Sequence, residues 1–313
     1  MPRVMLGKTS LNVSVMGLGA GGASKLGMGT GKTRAESLAL VRRALELGIN
    51  LIDSAESYGT EELIGESIRG MPRDSIVIST KKSAWKDGGE VLRDEVEPAL
   101  DASLKRLGVG HLDIYLLHAI APSSYGHILS EVVPELQRIK KSGKVRFIGA
   151  TEAFEQDPGH KMLSRALADG WADVVMTGFN ILNQSAREAV LAPAMSNGVG
   201  TLAMFAVRKA FSNPKRLSEI LTRLKVDGRL GPGFDEGTEP LSFLTAQGVA
   251  DSLPDAAYRF CRYEPGMNSV LVGTGDISHL EGNARSLSRP PLPPDTLARL
   301  YSVFRHVDNV TGG

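Results

Sequence analysis

Residues 50–59 read Asn50-Leu51-Ile52-Asp53-Ser54-Ala55-Glu56-Ser57-Tyr58-Gly59. In this segment an apolar run ends at an acid, and a phenol follows five residues later. The run before Asp53 predicts a short buried strand, and the residues around Tyr58 predict a turn into a helix that begins near Thr60. An acid and a phenol at the end of one strand are expected to face the same cavity. A phenol with a pKa of about 10 donates protons poorly at neutral pH unless a buried cation stabilises its phenolate. We therefore expect a lysine and a polar orienting group to arrive from elsewhere in the chain.

Two later apolar runs end in such groups. Residues 75–82 predict a strand that ends in lysine, and residues 111–118 predict a strand that ends in histidine. Taken singly, an acid after an apolar run is more typical of a helix cap, a lysine of a solvated strand end and a histidine of a hydrogen-bonded core group. Taken together, the four strand-end groups form a specific candidate catalytic set: Asp53, Tyr58, Lys81 and His118.

This set resembles the catalytic tetrad of the aldo-keto reductases. The matching text is Ile52-Asp53 to Tyr58-Gly59, Ser79-Thr80-Lys81 and Tyr115-Leu116-Leu117-His118. The resemblance implies that Tyr58 is the general acid that protonates a carbonyl oxygen as hydride reaches the carbonyl carbon, with the reverse role in alcohol oxidation. It implies that Lys81, held by Asp53, lowers the pKa of the tyrosine. It further implies that His118 orients the carbonyl by hydrogen bonding.

Eight short apolar runs, separated mostly by helical patterns, predict a closed parallel (β/α)8 TIM barrel. The runs lie at residues 15–19, 50–53, 75–82, 111–118, 145–151, 174–177, 201–204 and 269–273. An open doubly wound sheet is the alternative, but it needs a Gly-x-Gly-x-x-Gly loop that leads from its first strand into a helix. The glycine-rich segment 20–32 does not form this motif. We therefore expect residues 1–313 to form a single barrel domain.

Other segments are expected to lie outside the eight strand–helix units of the barrel. Residues 3–14 alternate around Gly7-Lys8-Thr9 and indicate a β-hairpin, and the family resemblance implies that this hairpin plugs the bottom of the barrel. Residues 295–306 predict an extra C-terminal helix, after which the last few residues are expected to be loose. Residues 206–250 interrupt the strand–helix repeat after the seventh strand. Because long loops commonly carry function, we expect this segment to form a lid or a substrate wall.

The resemblance also implies a nicotinamide dinucleotide that lies across the barrel mouth, since no side chain supplies hydride. Thr151 takes the place of the family's carboxamide-binding serine, whereas Glu152 and Met176 replace its asparagine and glutamine. Residues 273–276 and the helix after them resemble the segment that holds the adenosine phosphate. The expected cofactor-binding residues are Ala20, Gly21, Asp53, Thr151, Glu152, Met176, Met204, Phe205, Ala206, Arg208, Gly273, Thr274, Gly275, Asp276 and Asn283.

The cofactor is expected to be NADP(H), with unusually weak discrimination against NAD(H). NADP(H) is the commoner cofactor of the family, yet after the eighth strand no fixed cation that suits a 2′-phosphate precedes Arg285. Asp276 has two possible roles: it repels a 2′-phosphate, or it caps the helix through the helix-terminal amides. The cap is compatible with either cofactor.

The expected partner is a small-molecule carbonyl or alcohol, such as an aldehyde, a ketone or a sugar. The residues expected around this substrate are Tyr58, Trp85, His118 and Phe205. Two other functions stay open. The altered nicotinamide contacts are compatible with a regulatory barrel that binds cofactor with little turnover, and Lys81 is compatible with a lyase that forms a Schiff base.

Composition excludes several other classes of partner. With 36 basic and 35 acidic residues the net charge is +1, and no basic block favours nucleic acid or an anionic membrane. Cys261 is the only cysteine, which excludes an internal disulfide and suits a reducing compartment. No apolar run approaches the roughly 18 residues of a membrane span. We expect a cytoplasmic protein without a metal site.

Overall fold

The structure is a computed structural model that describes residues 1–86, 89–232, 234 and 241–313. Its strands are β1 (Arg3–Met5), β2 (Asn12–Ser14), β3 (Met16–Gly19), β4 (Leu51–Asp53), β5 (Val77–Ser83), β6 (Trp85–Lys86), β7 (Gly89–Glu90), β8 (Leu112–Ile120), β9 (Val145–Glu152), β10 (Val174–Gly178), β11 (Gly200–Met204) and β12 (Ser269–Val272). Its helices are α1 (Arg34–Glu46), α2 (Glu61–Ser67), α3 (Arg93–Leu107), α4 (Tyr125–His127), α5 (Val133–Lys141), α6 (Lys161–Asp169), α7 (Ala192–Asn197), α8 (Lys209–Ser212), α9 (Pro214–Val226), α10 (Leu253–Arg262), α11 (Ile277–Ser288) and α12 (Pro294–Phe304).

Eight of the strands close into a barrel in the order β10-β11-β12-β3-β4-β5-β8-β9. Every neighbouring pair in this barrel is parallel. The short strands β3 and β4 are almost wholly buried, as expected when helices cover a parallel sheet. The predicted (β/α)8 barrel is confirmed, and all eight predicted runs are its strands.

The predicted N-terminal hairpin is present and closes the end of the barrel where the strands begin. Strands β1 and β2 pair antiparallel, and the apolar side chains of Leu6, Leu11 and Val13 pack among residues from the interior of the barrel. Gly7 has a φ of 54°, and a Cβ on it would lie 2.5 Å from the carbonyl oxygen of Gly198. Glycine is therefore required at the tip, where the hairpin meets the residues before β11.

The segment after β11 and the end of the chain both reach the opposite end of the barrel. Helix α9 contains the helix predicted near residues 216–224, while residues 233 and 235–240 lie outside the described part of the chain. The expectation of loose C-terminal residues was wrong. The side-chain amides of Asn180 and Asn183 donate to the carbonyl oxygens of Thr311 and Val310, at 3.2 and 2.9 Å.

The extra C-terminal helix is α12, which begins and ends within two residues of the predicted bounds. Across the described residues, every helix is too short or too polar to cross a membrane.

Candidate active site

A cavity of about 560 Å³ opens at the end of the barrel where the parallel strands finish. Such strand ends carry the active site in TIM barrels. The predicted site residues that line the cavity are Gly21, Asp53, Tyr58, His118, Met176, Met204, Phe205, Ala206, Arg208 and Gly273. The structure adds lining residues that were not predicted, among them Val207, Lys209, Ser212, Tyr258 and Leu271.

A buried ion pair lies beside this cavity. Lys81 Nζ donates to Asp53 Oδ2 at 2.5 Å and to the carbonyl oxygen of Ser54 at 2.7 Å. The hydroxyl of Ser79 donates to the other oxygen of Asp53 at 2.8 Å. Burial raises the pKa of Asp53 and lowers the pKa of Lys81, and the attraction between the two charges opposes both changes. The pair holds a lysine in a fixed place without adding net charge.

Tyr58 and His118 meet above this pair. Tyr58 Oη lies 3.3 Å from His118 Nε2, and Lys81 Nζ lies 5.1 Å from the centroid of the tyrosine ring. The ring of Tyr58 packs against the backbone of Gly21, where a Cβ would lie 2.4 Å from a ring carbon. Gly21 thus makes room for the phenol at the cavity edge.

The pKa values correct one expectation. Burial, and secondarily the charge of Asp53, raise the pKa of Tyr58 above its ordinary value, whereas Lys81 was expected to lower it. Burial prevails because the lysine charge is already matched by Asp53 at 2.5 Å. Burial and the charge of Lys81 lower the pKa of His118 to about 3. At neutral pH both the phenol and the imidazole are therefore uncharged.

A β-bulge positions His118. Leu117 pairs with Ala150 and Ile120 pairs with Glu152, so two residues of β8 lie opposite Thr151. The second of these, Ala119, has a φ of 57° and donates its N–H to the Thr151 hydroxyl at 2.7 Å. Thr151, expected to bind the carboxamide of the cofactor, thus has its side-chain oxygen engaged in holding the bulge.

Glu152 is also directed away from its expected ligand. Its Oε1 accepts from Gly178 N at 2.7 Å and from the Thr177 hydroxyl at 3.0 Å. His160 Nδ1 lies 3.0 and 2.9 Å from its two oxygens. The third replaced position, Met176, does line the cavity.

The segment after β12 shows which role Asp276 takes in the fold. Asp276 Oδ1 accepts from Ser278 N at 2.8 Å, from His279 N at 3.1 Å and from the Ser278 hydroxyl at 2.6 Å. These bonds lower the pKa of Asp276, the hydroxyl bond most of all. Asp276 is therefore an N-cap of α11, and it occupies amides that could otherwise bind phosphate.

The glycines around the cavity leave a cleft with a bare backbone. A Cβ on Gly273 would lie 3.6 Å from the Gly19 carbonyl oxygen, so side chains at these two strand ends would fill the gap. The loop that begins with the buried Ala20 packs closely against the segment after β12, because a Cβ on Gly275 would lie 2.6 Å from Gly27 Cα. The lining cations Arg208 and Lys209 stand at the same cavity. A polar backbone cleft beside cations fits the phosphates of a dinucleotide.

The rim of the cavity is built around Phe205. This residue has a φ of 67°, in the left-handed region, and the guanidinium carbon of Arg208 lies 4.1 Å from the centroid of its ring. Arg208 also pairs with Glu155. Of the outer cofactor contacts, Thr274 is buried and its hydroxyl accepts from Asp276 N at 3.1 Å, while Asn283 is partly buried on α11.

Two residues illustrate what sequence patterns miss. Trp85, expected in the substrate pocket, is 43% exposed and lines a separate groove with Glu56 and Lys82. Conversely, Tyr258 lines the cavity from α10, although the sequence of this helix gives no signal that one of its turns faces the site. Helical periodicity identifies a buried face but not the neighbour that the face meets.

Over most of its length the chain is similar to known proteins of one family. The Aldo/keto reductase family profile matches residues 15–304. The chain is 27% identical over 316 residues to L-galactose dehydrogenase of Arabidopsis thaliana, covering 98% of this chain and 95% of that protein. It is 28% identical over 220 residues to the NADH-specific methylglyoxal reductase of Escherichia coli K12, covering 64% of this chain and 65% of that one. An aldo-keto reductase of Klebsiella pneumoniae in complex with NADPH shares the fold, with a TM-score of 0.71, 20% identity and coverage of 99% and 98%.

Proposed function

Because the chain belongs to the aldo/keto reductase family, we propose that it transfers hydride between a nicotinamide dinucleotide and a small carbonyl or alcohol. In this proposal Tyr58 is the general acid and base. The observation that carries it is the contact of 3.3 Å between Tyr58 Oη and His118 Nε2 at the cavity. The buried Asp53–Lys81 pair beside that contact supports the same role.

The substrate oxygen is proposed to lie against Tyr58 and His118. A bound nicotinamide supplies or takes up the hydride. Tyr58 keeps its proton at neutral pH because its pKa is raised, and it gives that proton to the oxygen as negative charge develops there. The ammonium of Lys81, 5.1 Å from the ring centroid, then stabilises the phenolate. Neutral His118 orients the oxygen by hydrogen bonding.

The cofactor is proposed to be NADP(H), with weak discrimination against NAD(H). Gly21, Gly273 and Arg208 are the groups proposed to hold it, because they border the cavity with bare backbone or positive charge. Asp276 places a carboxylate at the start of α11, which disfavours an additional phosphate at that point. The similar proteins differ in their cofactor, since one relative is named NADH-specific and a structural neighbour is in complex with NADPH.

The proposed substrate is a small aldehyde, ketone or sugar. The cavity of about 560 Å³ has to admit the nicotinamide as well as the substrate, which favours a small substrate. Two methionines and Phe205 supply apolar walls, while Tyr58 and His118 supply the polar contacts.

The Schiff-base alternative is disfavoured. Lys81 is only 1% exposed and donates to both Asp53 and Ser54. An amine that is buried, charged and hydrogen-bonded in this way is a poor nucleophile. A regulatory barrel is the second candidate, because Thr151 and Glu152 bond to protein groups at positions where the family contacts the carboxamide.

The test is a screen of small aldehydes, ketones and sugars in both directions, followed by nicotinamide absorbance. We expect Tyr58→Phe to lower turnover by about a hundredfold to ten-thousandfold while the Kd of the cofactor stays unchanged. Tyr115→Phe is the matched control, since Tyr115 is a buried tyrosine of β8 whose hydroxyl donates to the Val96 carbonyl at 3.5 Å. Wild-type turnover in Tyr58→Phe would refute the mechanism. Tight cofactor binding without turnover of any substrate would favour the regulatory barrel.

A further inference from the structure

A buried carboxylate behind the cavity wall has no part in the proton transfer described above. The side chains of Glu152 and His160 are both 0% exposed. Glu152 Oε1 accepts from Gly178 N at 2.7 Å and from the Thr177 hydroxyl at 3.0 Å, and His160 Nδ1 lies 2.9 Å from the other carboxylate oxygen. A carboxylate surrounded by donors is held as the ionised, acceptor-only form.

The imidazole of His160 does not neutralise this charge. Its Nε2 is buried, and it has no hydrogen-bond partner among the residues that the structure describes. An imidazolium would leave a buried, charged N–H without an acceptor at that atom, which is costly. The network therefore assigns the proton to Nδ1 of a neutral ring. The cluster of Glu152, His160 and Thr177 carries one net negative charge.

Aromatic rings connect this cluster to the cavity. The ring of His160 stacks on Phe154 with centroids 5.4 Å apart, and Phe154 stacks on Phe205 with centroids 5.9 Å apart. Phe205 lines the cavity. A Cβ on Gly178 would lie 2.4 Å from the Phe154 ring, so the backbone that binds Glu152 touches the same ring. The carboxylate thus lies behind the wall of the cavity, with Phe154 and Phe205 between it and the open space.

Two of the charged side chains that line the cavity, Asp53 and Arg208, are paired with opposite charges, and Lys209 lines it as well. Asp53 binds Lys81, and Arg208 binds Glu155 at the rim. The partners of Glu152, in contrast, are neutral donors. Because water is excluded from the cluster, its field is weakly screened and reaches the adjoining cavity.

We propose that Glu152 sets the redox preference of cofactor binding, by favouring the oxidised, cationic nicotinamide over the reduced, neutral one. This inference rests on the proposed function. The oxidised ring carries a positive charge that the reduced ring lacks, so only the oxidised form gains from a fixed anion behind the wall. Within the bound complex, the same field favours the oxidised cofactor with alcohol over the reduced cofactor with carbonyl.

The experiment measures the Kd of the oxidised and reduced cofactor for each variant, by protein fluorescence and calorimetry. Glu152→Gln removes the charge and keeps the shape. We expect the ratio of the oxidised to the reduced Kd to rise about tenfold, which corresponds to about 1.4 kcal/mol. His160→Asn is the matched control, because it keeps the carboxylate and one N–H donor. We expect it to change the ratio by less than about twofold, since packing changes alone affect both redox forms alike.

Three results would overturn the inference. One is a Glu152→Gln protein that binds both forms with the wild-type ratio. A second is a His160→Asn protein whose ratio shifts as much as that of Glu152→Gln, which would assign the effect to packing. The third result is that the wild-type protein binds the reduced cofactor more than about tenfold tighter than the oxidised cofactor. This measurement needs no variant, so it applies even if the variants do not fold. Absence of binding of either form would contradict the proposed function instead.

Discussion

At the scale of single residues, the site is organised by charges that the fold buries in pairs. Asp53 and Lys81 are almost wholly buried, and their contact of 2.5 Å is supported by Ser79 and Ser54. Each charge is tolerable only because the other is present. Because Asp53 matches the lysine charge, burial prevails and the pKa of Tyr58 stays above its ordinary value.

We expect Lys81→Met to lower the free energy of unfolding by about 3 to 5 kcal/mol, because it leaves the carboxylate of Asp53 buried without its partner. The double variant with Asp53→Asn should regain much of this loss, yet remain inactive. Urea unfolding of the two single variants and the double variant gives the coupling energy.

Lys82→Met is the control for the loss of a lysine at the next position. Lys82 bonds to Glu56 at 3.1 Å, and that carboxylate is 21% exposed, so water can solvate it after the substitution. We expect a smaller loss of stability. Equal losses for the two lysine variants, or a double variant as unstable as Lys81→Met, would show that burial of an unpaired charge is not the cause.

At the scale of an element, helix α11 begins at one side chain that caps the helix and is proposed to influence the choice of cofactor. Asp276 bonds to two helix-terminal amides, and it satisfies donors that would otherwise need water or a ligand. The same carboxylate adds a negative charge where the family places the adenosine phosphate end of the cofactor. Capping and the proposed discrimination against phosphate can be tested separately by substitution of this one residue.

Asp276→Ser tests the effect of the charge apart from that of the cap, because serine is also a good N-cap but carries no charge. We expect the stability of this variant to stay close to that of wild type. The affinity for NADPH relative to NADH should rise about twofold to fivefold, as befits an exposed charge interaction. Fluorescence titration with both reduced cofactors measures the ratio.

Asp276→Ala is the comparison, since it removes cap and charge together. It should be less stable than both wild type and Asp276→Ser while gaining a similar preference for NADPH. A cofactor ratio that responds to neither substitution would mean that the 2′-phosphate binds away from the start of α11.

At the scale of the whole molecule, closure of the barrel assembles the site. Asp53 pairs in register with Gly19 on one side and with Ser79 on the other, and Ser83 pairs with His118. Parallel registers of this kind bring all strand ends to one face. The same closure removes His118 from water, which lowers its pKa to about 3 and ties the stability of the fold to pH.

The sign of this dependence follows from proton binding. Below the ordinary histidine pKa of about 6.5 the unfolded chain takes up a proton that folded His118 does not, so stability falls as pH falls from about 6.5 towards 3. Between pH 7 and pH 5 this contribution is about 2 kcal/mol. We expect His118→Asn to lack it, as measured by urea unfolding at both pH values. An equal fall in stability for wild type and variant would contradict burial of a neutral His118.

Local patterns in the sequence determined the barrel and the approximate ends of its strands. Apolar runs that end in polar groups specify buried strands without knowledge of the neighbours, and short-range hydrogen bonds do the same for helix starts. The capping box of Thr33 and Glu36 is one example, with Thr33 N donating to the Glu36 carboxylate at 2.8 Å. The order of strands along the chain then places Asp53, Lys81 and His118 at one end.

Only the tertiary structure decided what each of these groups bonds to. The raised pKa of Tyr58 depends on burial and on the lysine charge being already matched. Glu152 turned to His160 rather than to the cavity, and Trp85 stayed outside it. These outcomes depend on groups brought close by folding and on the water that they exclude, and neither quantity is encoded in the spacing of residues along one strand.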